Sequence, residues 1–476
     1  MANLFPNGIK GLSDSKWSGV EGSASALIGI DLHSTPGLIK VRQKMTKDSG
    51  VLGVEVTELC RVNLAVSTGI TIWFSATSGK IWERSTAGTW VLVYTTSPAA
   101  GAAGCLGAAE YDGYIYWATQ SRLHRILVTG LGGVWTPGTG LNWATFTKTD
   151  ASWHPMVKQN LQLFIGDASY LAKVDNDTGV HLFTAKALDL NVPFRVKCLI
   201  DFDIDILIGT YVSDYVNKTQ ILRWDTESTS WLTSDPIEEN GINAFMRDDN
   251  YVYAQCGQFG RWYQYDGRIL VPLLRMPGTW SSSSYGVVNP NAVACHLTIP
   301  VFGISNGSGN PCSQGVYSLG SYDQKYPKIL DLSYPISTGT LTSIEIGCVL
   351  AVGADLFAAW QDGSSYGVDK LDYTAKYTSA YIDTMMLTLG EERNFIKTIK
   401  KVYADYALLP ASTGITFTVY RYSGDTGIAL TSLTDSILKQ VRADVGTVPE
   451  VANLQLRIAF TVSANNAPEV EVIGFE

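Results

Sequence analysis

The feature that most constrains the fold is a strand–turn–strand pattern that recurs along most of the chain. Each occurrence is an apolar run, a short turn rich in Gly, Ser or Asp, and a second run that ends near an Asp. Seven occurrences begin at residues 71, 114, 161, 206, 251, 299 and 356, with spacings of 43, 47, 45, 45, 48 and 57 residues. This period is typical of four-stranded β-propeller blades, so the sequence predicts a seven-bladed propeller.

The stretch KTQILRWDTESTSWLTS shows how one unit is built. Asp225 follows Trp224 at the end of an apolar run, and Trp231 opens the next run six residues later. An Asp side chain accepts backbone N–H groups of a following turn, and the second aromatic residue packs back on the neighbouring strand. We expect the same turn role for the set Asp175, Asp225, Asp266, Asp331 and Asp372, and the same packing for Trp90 and Phe183.

Composition supports an all-β chain. The 476 residues are 46% hydrophobic and 17% charged, and Gly, Tyr and Trp are plentiful, with 45, 24 and 13 copies. This bias is typical of strands joined by tight turns. We therefore predict a seven-bladed β-propeller followed by a small C-terminal β-sandwich-like domain.

Three regions are predicted. Residues 51–380 contain the repeats and form the propeller. Residues 381–476 alternate apolar and polar residues with a period of two, as half-buried strands of a sandwich do. Residues 1–50 form an N-terminal arm, in which residues 26–43 either complete the last blade of their own ring or contact a neighbouring subunit.

The cysteines follow the same period. Cys60, Cys105, Cys198, Cys295 and Cys348 each lie a few residues before a repeat, which predicts innermost strands with small buried side chains. Because the chain has seven cysteines and no CxxC spacing, neither a disulfide framework nor a structural zinc site is expected.

Charge and motifs exclude several function classes. A net charge of −9 argues against a basic groove that grips nucleic acid. No secretory signal, no run of 18 apolar residues and no GxSxG, Walker or dinucleotide motif is found. We predict no enzyme, no cofactor, and no catalytic, cofactor-binding or metal-ligating residue.

Four groups of residues are candidates for a catalytic, metal-binding or contact role. The scattered histidines are interpreted as surface or core residues: His33, His124, His154, His181 and His296. Asp201, Asp203 and Asp205 alternate along the chain, which places all three on one face of a strand or hairpin. We interpret them as carboxylates of an inner hairpin that face the solvated channel. The alternative is a cation site or a glycosidase site. The stretch DNDTGVHLF (175–183) resembles an Asp-box turn of sialidase-like propellers. The Gly/Ser/Asn-rich loop 305–315 is interpreted as a surface loop without a function, and the alternative is a loop that contacts a partner.

Both ends of the chain resemble virion proteins of tailed bacteriophages. The opening FPNGIKGL and GSASALIGIDLHSTPGLIKVRQ is similar to the start of phage tail proteins, and FIKTIKKVYADYALLPASTGITFTVYRYSGDTG and NLQLRIAF are similar to segments that follow their propeller. The kind of protein that the chain resembles is the nozzle, or packaged-DNA stabilisation protein, of short-tailed phages.

This resemblance implies a structural function. It implies a ring of identical subunits in the virion tail, beyond the portal and adaptor and near a tail fibre or spike, that is assembled in the host cytoplasm. Packaged DNA would pass without sequence-specific binding, no membrane segment is needed, and no catalytic residue is carried over. Two alternatives stay open, a receptor-binding tail-tip protein and a carbohydrate-active propeller enzyme.

Overall fold

The fold is built from β-strands. The computed structural model describes residues 2–3, 9–13, 22–35, 37–48, 56–63, 71–77, 79–85, 87–95, 104–128, 141–177, 179–212, 218–248, 251–276, 286–305, 313–321, 328–338, 344–388, 401–406, 409–422, 424–430, 440–444 and 453–475. In these ranges every extended regular element is a strand, and none contains a helix long and apolar enough to cross a membrane. The prediction of an all-β chain is confirmed.

The strands are numbered in chain order. The N-terminal strands are β1 (Ala2–Asn3), β2 (Ala24–Ile28), β3 (Ile30–Asp31), β4 (Lys40–Val41) and β5 (Gln43–Lys47). The first sheet contains β6 (Glu58–Asn63), β7 (Thr71–Thr77), β8 (Lys80–Arg84) and β9 (Trp90–Thr95), and the second contains β10 (Gly107–Tyr111), β11 (Tyr114–Ala118), β12 (Arg122–Leu127) and β13 (Ala144–Thr145). The third contains β14 (Met156–Gln159), β15 (Gln162–Asp167), β16 (Tyr170–Asp177) and β17 (Val180–Asp189), and the fourth contains β18 (Arg195–Phe202), β19 (Asp205–Tyr211), β20 (Thr219–Trp224) and β21 (Thr233–Ile237).

The second half of the chain continues this order. The fifth sheet contains β22 (Ile242–Arg247), β23 (Val252–Cys256), β24 (Arg261–Tyr265) and β25 (Leu270–Arg275). The next strands are β26 (Val287–His296), β27 (Ile299–Ser305), β28 (Gly315–Gly320), β29 (Ile329–Tyr334), β30 (Ile344–Val352), β31 (Asp355–Asp362) and β32 (Ser365–Lys376). The last strands are β33 (Tyr381–Thr384), β34 (Leu387–Thr388), β35 (Lys401–Tyr406), β36 (Gly414–Tyr420), β37 (Ile428–Ala429), β38 (Gln440–Asp444), β39 (Asn453–Thr461) and β40 (Val470–Phe475).

The sheets are arranged as a β-propeller. The first five sheets are antiparallel meanders of four consecutive strands, and they are blades of the propeller. Strands β26–β29 form another meander, and β30–β32 are joined by β5 in a further four-stranded sheet. The first strand of each sheet contacts the first strand of the next, and β30 also contacts β6. These first strands therefore surround the propeller axis.

The sequence repeats begin at the second strand of each sheet. Second strands lie between the blades on either side, so both of their faces are buried, as in β19, where Asp205–Thr210 are all buried. This explains why they read as continuous apolar runs in place of alternating ones. Outermost strands differ, because their outer side faces solvent: Val91 and Leu92 in β9 and Val271 in β25 are exposed.

The N-terminal segment completes the sheet of β30–β32. Strand β5 pairs antiparallel with β32, with Met45 opposite Leu371. Residues 26–43 were predicted to supply a closing strand, but the pairing residues are 43–47, so only Gln43 of the predicted range takes part. Residues 24–28 instead form β2, which pairs parallel with β29 and antiparallel with β33. The closing strand belongs to the same chain.

The C-terminal strands form two sheets. One continues the meander of β26–β29 through β2, β33, β39, β36 and β37, with β34 also paired to β39, and the other has the order β1, β40, β35, β38. An apolar cluster joins side chains of both sheets, including Val402, Phe417, Ile458 and Ile473. Because β1 and β2 come from the N-terminus, this unit is built from both ends of the chain.

Candidate functional site

The three alternating aspartates do not converge. Phe202 pairs with Asp205, so Asp203 and Ile204 form a two-residue turn that breaks the alternation between β18 and β19. Asp201 and Asp203 face Arg247, at 3.4 and 3.3 Å, whereas Asp205 is buried and pairs with Arg223. The predicted placement on one face was wrong, because the hairpin turn lies between these residues. The carboxylates anchor neighbouring strands and blades and do not form a cluster.

Three of the five predicted turn aspartates take that role. Asp225 accepts the backbone N–H of Ser228 at 2.8 Å, Asp266 accepts that of Ile269 at 2.7 Å, and Asp372 accepts that of Thr374 at 2.8 Å. The pKa of each carboxyl lies below its ordinary value, mainly because of the Ser228 hydroxyl at Asp225, the Thr374 hydroxyl at Asp372 and the backbone N–H of Ile269 at Asp266. Trp224 is buried and donates its indole N–H to the carbonyl oxygen of Ser228, so the Trp-Asp pair fixes this hairpin from both sides.

The prediction was wrong for the other two aspartates. Asp175 lies within β16 opposite Leu182 and pairs with Lys173, because its hairpin turns two residues later. Asp331 is fully buried in β29, where it contacts the ring of His33 and the hydroxyl of Ser333. An Asp near the end of an apolar run is therefore a turn residue where it follows the last residue of the strand, as Asp225 and Asp266 do, or where the pairing register shifts, as at Asp372 in β32. The Asp-box-like stretch 175–183 is an ordinary β16–β17 hairpin by this pairing.

The histidines lie apart and are held by local hydrogen bonds. His154 is buried, its Nδ1–H donates to the carbonyl oxygen of Gly166 over 2.6 Å, and burial lowers its pKa to about 4. Burial also lowers the pKa of His124 to about 4, and its Nδ1 accepts the backbone N–H of Asn142. His181 contacts Asp112 and Tyr116, and His296 donates to the carbonyl oxygen of Ala354. In the described residues, no group of three or more His, Cys, Asp or Glu side chains is arranged to hold a metal ion.

The cysteines lie on or beside the innermost strands, as predicted. Cys105 immediately precedes β10, Cys198 and Cys348 lie in β18 and β30, and all three are buried. Cys295 lies in β26 but is exposed, which corrects the expectation of burial at that position. Cys60 is in β6, and its side chain is outside the described part of the chain.

Polar side chains near the axis come from bulges in the innermost strands. The pairing register shifts at Lys197 in β18 and at Asn243 in β22, so each is an extra residue in its strand. Lys197 Nζ donates to Asn243 Oδ1 over 2.6 Å, which links the fourth and fifth sheets. Burial lowers the pKa of Lys197 to about 8 and raises that of Glu58, in β6, to about 8. Each group is bonded within its own pair of blades, so we interpret these axial residues as links between blades.

The turns between first and second strands form one face of the propeller, which we call the hairpin face. The described turns are residues 112–113, 160–161, 203–204, 297–298 and 353–354. Hydrogen bonds connect neighbouring turns: Tyr111 donates to the carbonyl oxygen of Leu161 over 2.6 Å, and Asn160 donates to that of Ile204 over 3.0 Å. The turns therefore lie side by side around the axis.

Large apolar side chains project from three of these turns. Leu161 is 92% exposed, Ile204 is 71% exposed and Leu297 is 57% exposed. None of them is buried by the part of the chain that the structure describes. Leu161 and Ile204 lie in neighbouring turns, which the Asn160–Ile204 hydrogen bond links, whereas Leu297 lies in the turn between β26 and β27.

The two leucines among these three residues also have an unfavourable backbone conformation. Leu161 has φ of 59° and Leu297 has φ of 49°, in the left-handed region that Gly and Asn adopt more readily. A branched apolar residue there costs on the order of 1–2 kcal/mol and gains nothing from burial. Their exposed side chains therefore do not offset the cost of this backbone conformation.

Comparisons with known proteins identify no family for this chain. No protein-family model and no curated protein matches the chain. The chain is similar to the extracellular domain of a hybrid two-component system from B. thetaiotaomicron, with 12% identity over 81% of this chain and 47% of that one, and a TM-score of 0.48. It thus spans about half of that protein's length.

Two further solved structures are similar over most of the chain. The WD40 domain of Neurospora crassa Pan2 is 8% identical over 73% of this chain and 99% of that one, with a TM-score of 0.42. An exo-β-1,3-galactanase from Phanerochaete chrysosporium is 10% identical over 72% of this chain and 99% of that one, with a TM-score of 0.32. Likenesses this distant leave the function to be argued from the residues of the chain.

The hairpin face was not recognised from the sequence. The signal was present in QNLQLF, where Leu161 follows Asn160 at a position that usually takes Gly in a two-residue turn. The sequence pattern instead predicts Leu161 as the first residue of an apolar strand, because apolar residues follow it. Residues 306–312 of the loop 305–315, for which a contact is the alternative interpretation, lie outside the described residues.

Proposed function

We propose that this protein is a structural subunit of a bacteriophage tail, a nozzle subunit that closes the DNA channel and takes part in genome ejection. Its partners would be further copies of itself in a ring, the adaptor or portal side, and a tail fibre or spike. DNA would pass without sequence-specific binding, and the subunit would carry no catalytic group or cofactor. The resemblance of both chain ends to phage tail proteins and the apolar hairpin face support this function.

We propose further that the propeller has seven blades. The meander β26–β29 would be the sixth blade, and β30–β32 with β5 would be the seventh. Closure is supported by Asp48, which follows β5 and accepts hydrogen bonds from Arg84 in the first sheet, at 2.6 and 2.7 Å, and from the indole N–H of Trp90 at 2.7 Å. This buried charge pair would fasten the last blade to the first.

The C-terminal strands would form a β-sandwich. The two sheets that share the apolar cluster of Val402, Phe417 and Ile458 are its two layers in this proposal. Residues 381–476 would supply most of it, and β1 and β2 from the N-terminal arm would complete it. The arm is then part of both the sandwich and the propeller, and not a free extension.

The observation that carries the functional proposal is the strained, exposed leucines of the hairpin face. A subunit of an assembly needs a rigid surface with apolar groups that become buried on association. Leu161, Ile204 and Leu297 supply such groups on a propeller face. Full burial of each side chain would contribute about 1.5–3 kcal/mol to association.

The test replaces two of these leucines by asparagine. The variant Leu161→Asn with Leu297→Asn puts a residue that tolerates left-handed φ at both positions, so its free energy of unfolding should be unchanged or raised by about 1 kcal/mol. When it is co-expressed with the adaptor protein of the same phage, ring formation seen by electron microscopy should be reduced or lost. Opposite effects on stability and assembly are what a contact surface requires.

A matched control is Val271→Asn, which removes an exposed apolar side chain from the outer strand β25. It should assemble like the wild type. The proposal is wrong if the wild type forms no rings with the adaptor, or if the double variant forms rings as well as the wild type does.

Two other functions give different results in simple assays. A receptor-binding tail-tip protein would use the same exposed face and should bind host cells as a free subunit, without the adaptor. A carbohydrate-active propeller should turn over host polysaccharide, and that turnover should disappear when Asp201, Asp203 and Asp205 are all changed to Asn.

A further inference from the structure

A cavity of about 620 Å³ lies beside the closing strand β5, at the junction of the propeller with the C-terminal strands. Its walls come from β5, the loop after β29, strand β31 and the connection from β32 to β33. This volume is in the range of small-molecule sites and is far larger than a single inorganic ion needs. It is distinct from the hairpin face.

The lining of the cavity is basic although the protein is acidic. Lys44 and Lys47 line it, and none of its described lining residues is an Asp or Glu, whereas the whole chain has a net charge of −9. Lys44 is 3.9 Å from Asp372, at the limit of an ion pair. Lys47 is exposed, lies over the ring of Trp360 at 5.2 Å and makes no ion pair with a described residue. The Lys47 ammonium is therefore available to an anion, and the Lys44 ammonium, which is shared with Asp372, adds positive charge beside it.

Two other lining residues, Ser337 and Trp360, are held in position by hydrogen bonds to the buried Asp369. Ser337 donates its backbone N–H and its hydroxyl to Asp369, both over 2.7 Å, and the indole N–H of Trp360 donates to the same carboxyl over 2.8 Å. Asp369 is fully buried and does not line the cavity. It thus fixes two walls without placing a carboxylate in the open space.

Two tyrosines give the cavity aromatic ring surfaces and further hydroxyl groups. Tyr377 and Tyr381 line the cavity and are half-buried, and the guanidinium of Arg457 lies over the ring of Tyr381 at 4.2 Å. Hydroxyl groups of Ser379 and the two tyrosines can hydrogen-bond to a ligand, while the ring surfaces can contact its C–H groups.

We propose that this cavity binds an acidic saccharide unit. The carboxylate of such a sugar would lie between Lys44 and Lys47, its hydroxyls would bond to the Ser, Thr and Tyr hydroxyls, and its C–H face would lie on a tyrosine ring. A phosphate ion offers charge but neither hydroxyls nor an apolar face, so it would leave most of the lining unused. The proposal is independent of the hairpin face and of the tail function.

The experiment titrates the full chain with methyl glucuronide and N-acetylneuraminic acid, with calorimetry as the readout and with neutral methyl glucoside and inorganic phosphate as comparison probes. We expect saturable binding of at least one acidic sugar at up to millimolar concentration, weaker at high salt, and a raised unfolding temperature in its presence. Lys47→Gln should weaken binding about tenfold. Lys186→Gln, which removes the same charge from an exposed site on β17, should change binding by less than about twofold.

Each other result overturns the proposal. Equal binding of methyl glucoside would show that the lysines do not select the ligand, and tight binding of phosphate with none of the sugars would make the cavity a simple anion site. An unchanged affinity of Lys47→Gln, or no binding of either acidic sugar, would also be a refutation. Because Lys47 is exposed, its variant should fold, and the unfolding temperature without ligand checks this.

Discussion

Burial of Asp167 predicts how the free energy of unfolding of this protein depends on pH. It is fully buried at the end of β15 and accepts the backbone N–H groups of Thr147 and Lys148 with one carboxyl oxygen, at 3.0 and 3.1 Å. The other oxygen, Oδ1, has no hydrogen-bond partner among the residues that the structure describes. Burial raises the pKa of Asp167 from 3.8 to about 6, in spite of the two N–H groups.

The sign of the pH effect follows from this shift. Since the folded state holds the proton more tightly than the unfolded state, the folded protein loses stability as the pH rises from below 4 to above 6. Each pKa unit corresponds to about 1.4 kcal/mol, so the full loss is about 3 kcal/mol. Asp167→Asn keeps an oxygen for both N–H groups and has no charge, so it should not show this loss.

The assay is urea unfolding of the wild type and of Asp167→Asn between pH 4 and pH 7. The difference in unfolding free energy should grow in favour of the variant by up to about 3 kcal/mol over this range. Glu227→Gln, which removes one negative charge from an exposed position, is the control and should follow the wild type. A constant difference between Asp167→Asn and the wild type would refute the argument, because the carboxyl would then have the same pKa in both states.

Three further predictions concern contacts between blades. Glu58→Gln should be more stable than the wild type above about pH 8, because burial raises the pKa of Glu58 to about 8; equal stability in urea unfolding at pH 9 would contradict this. Gly347→Ala should lower the unfolding temperature far more than Gly353→Ala, since an added Cβ meets the carbonyl oxygen of Val56 at 2.0 Å in the first case, whereas in the second it meets no atom within 4 Å and costs only the strain of a φ of 57°. Asp48→Ala should cost about 3–5 kcal/mol of unfolding free energy by leaving Arg84 buried without its partner, and a loss below about 1 kcal/mol would argue against closure at this point.

The sequence predicted the repeating part of the fold well because its signal is local. Second strands are buried on both sides, so each of them is a continuous apolar run, and every predicted repeat begins within one residue of such a strand, as at Thr71 in β7 and Ile299 in β27. Turn aspartates such as Asp225 were also predictable, because their hydrogen bonds reach only two or three residues along the chain.

Long-range features could not be read in the same way. The partner of Asp331 is His33, 298 residues away, and no local pattern indicates that pairing. The site residues were missed for a related reason, since Leu161 differs from a core leucine only by its position in a turn. The prediction that Asp203 and Asp205 share a face assumed one continuous strand. A hairpin turn at Asp203 and Ile204 interrupts that strand, and the sequence has no Gly or Asn there to indicate the turn.

The N-terminal segment links the parts of the molecule, and this has a consequence for folding. Ile28 pairs with Leu332 beside the propeller, Met45 pairs with Leu371, and Asp48 binds Arg84 in the first sheet. Strand β5 is synthesised early, but its partner β32 lies more than 300 residues further along, as in the contact of Thr46 with Lys370 at a separation of 324 residues. Contacts of such separation form slowly, because the loop between them must first be ordered. The pairing of β5 with β32 should therefore be a late step of folding.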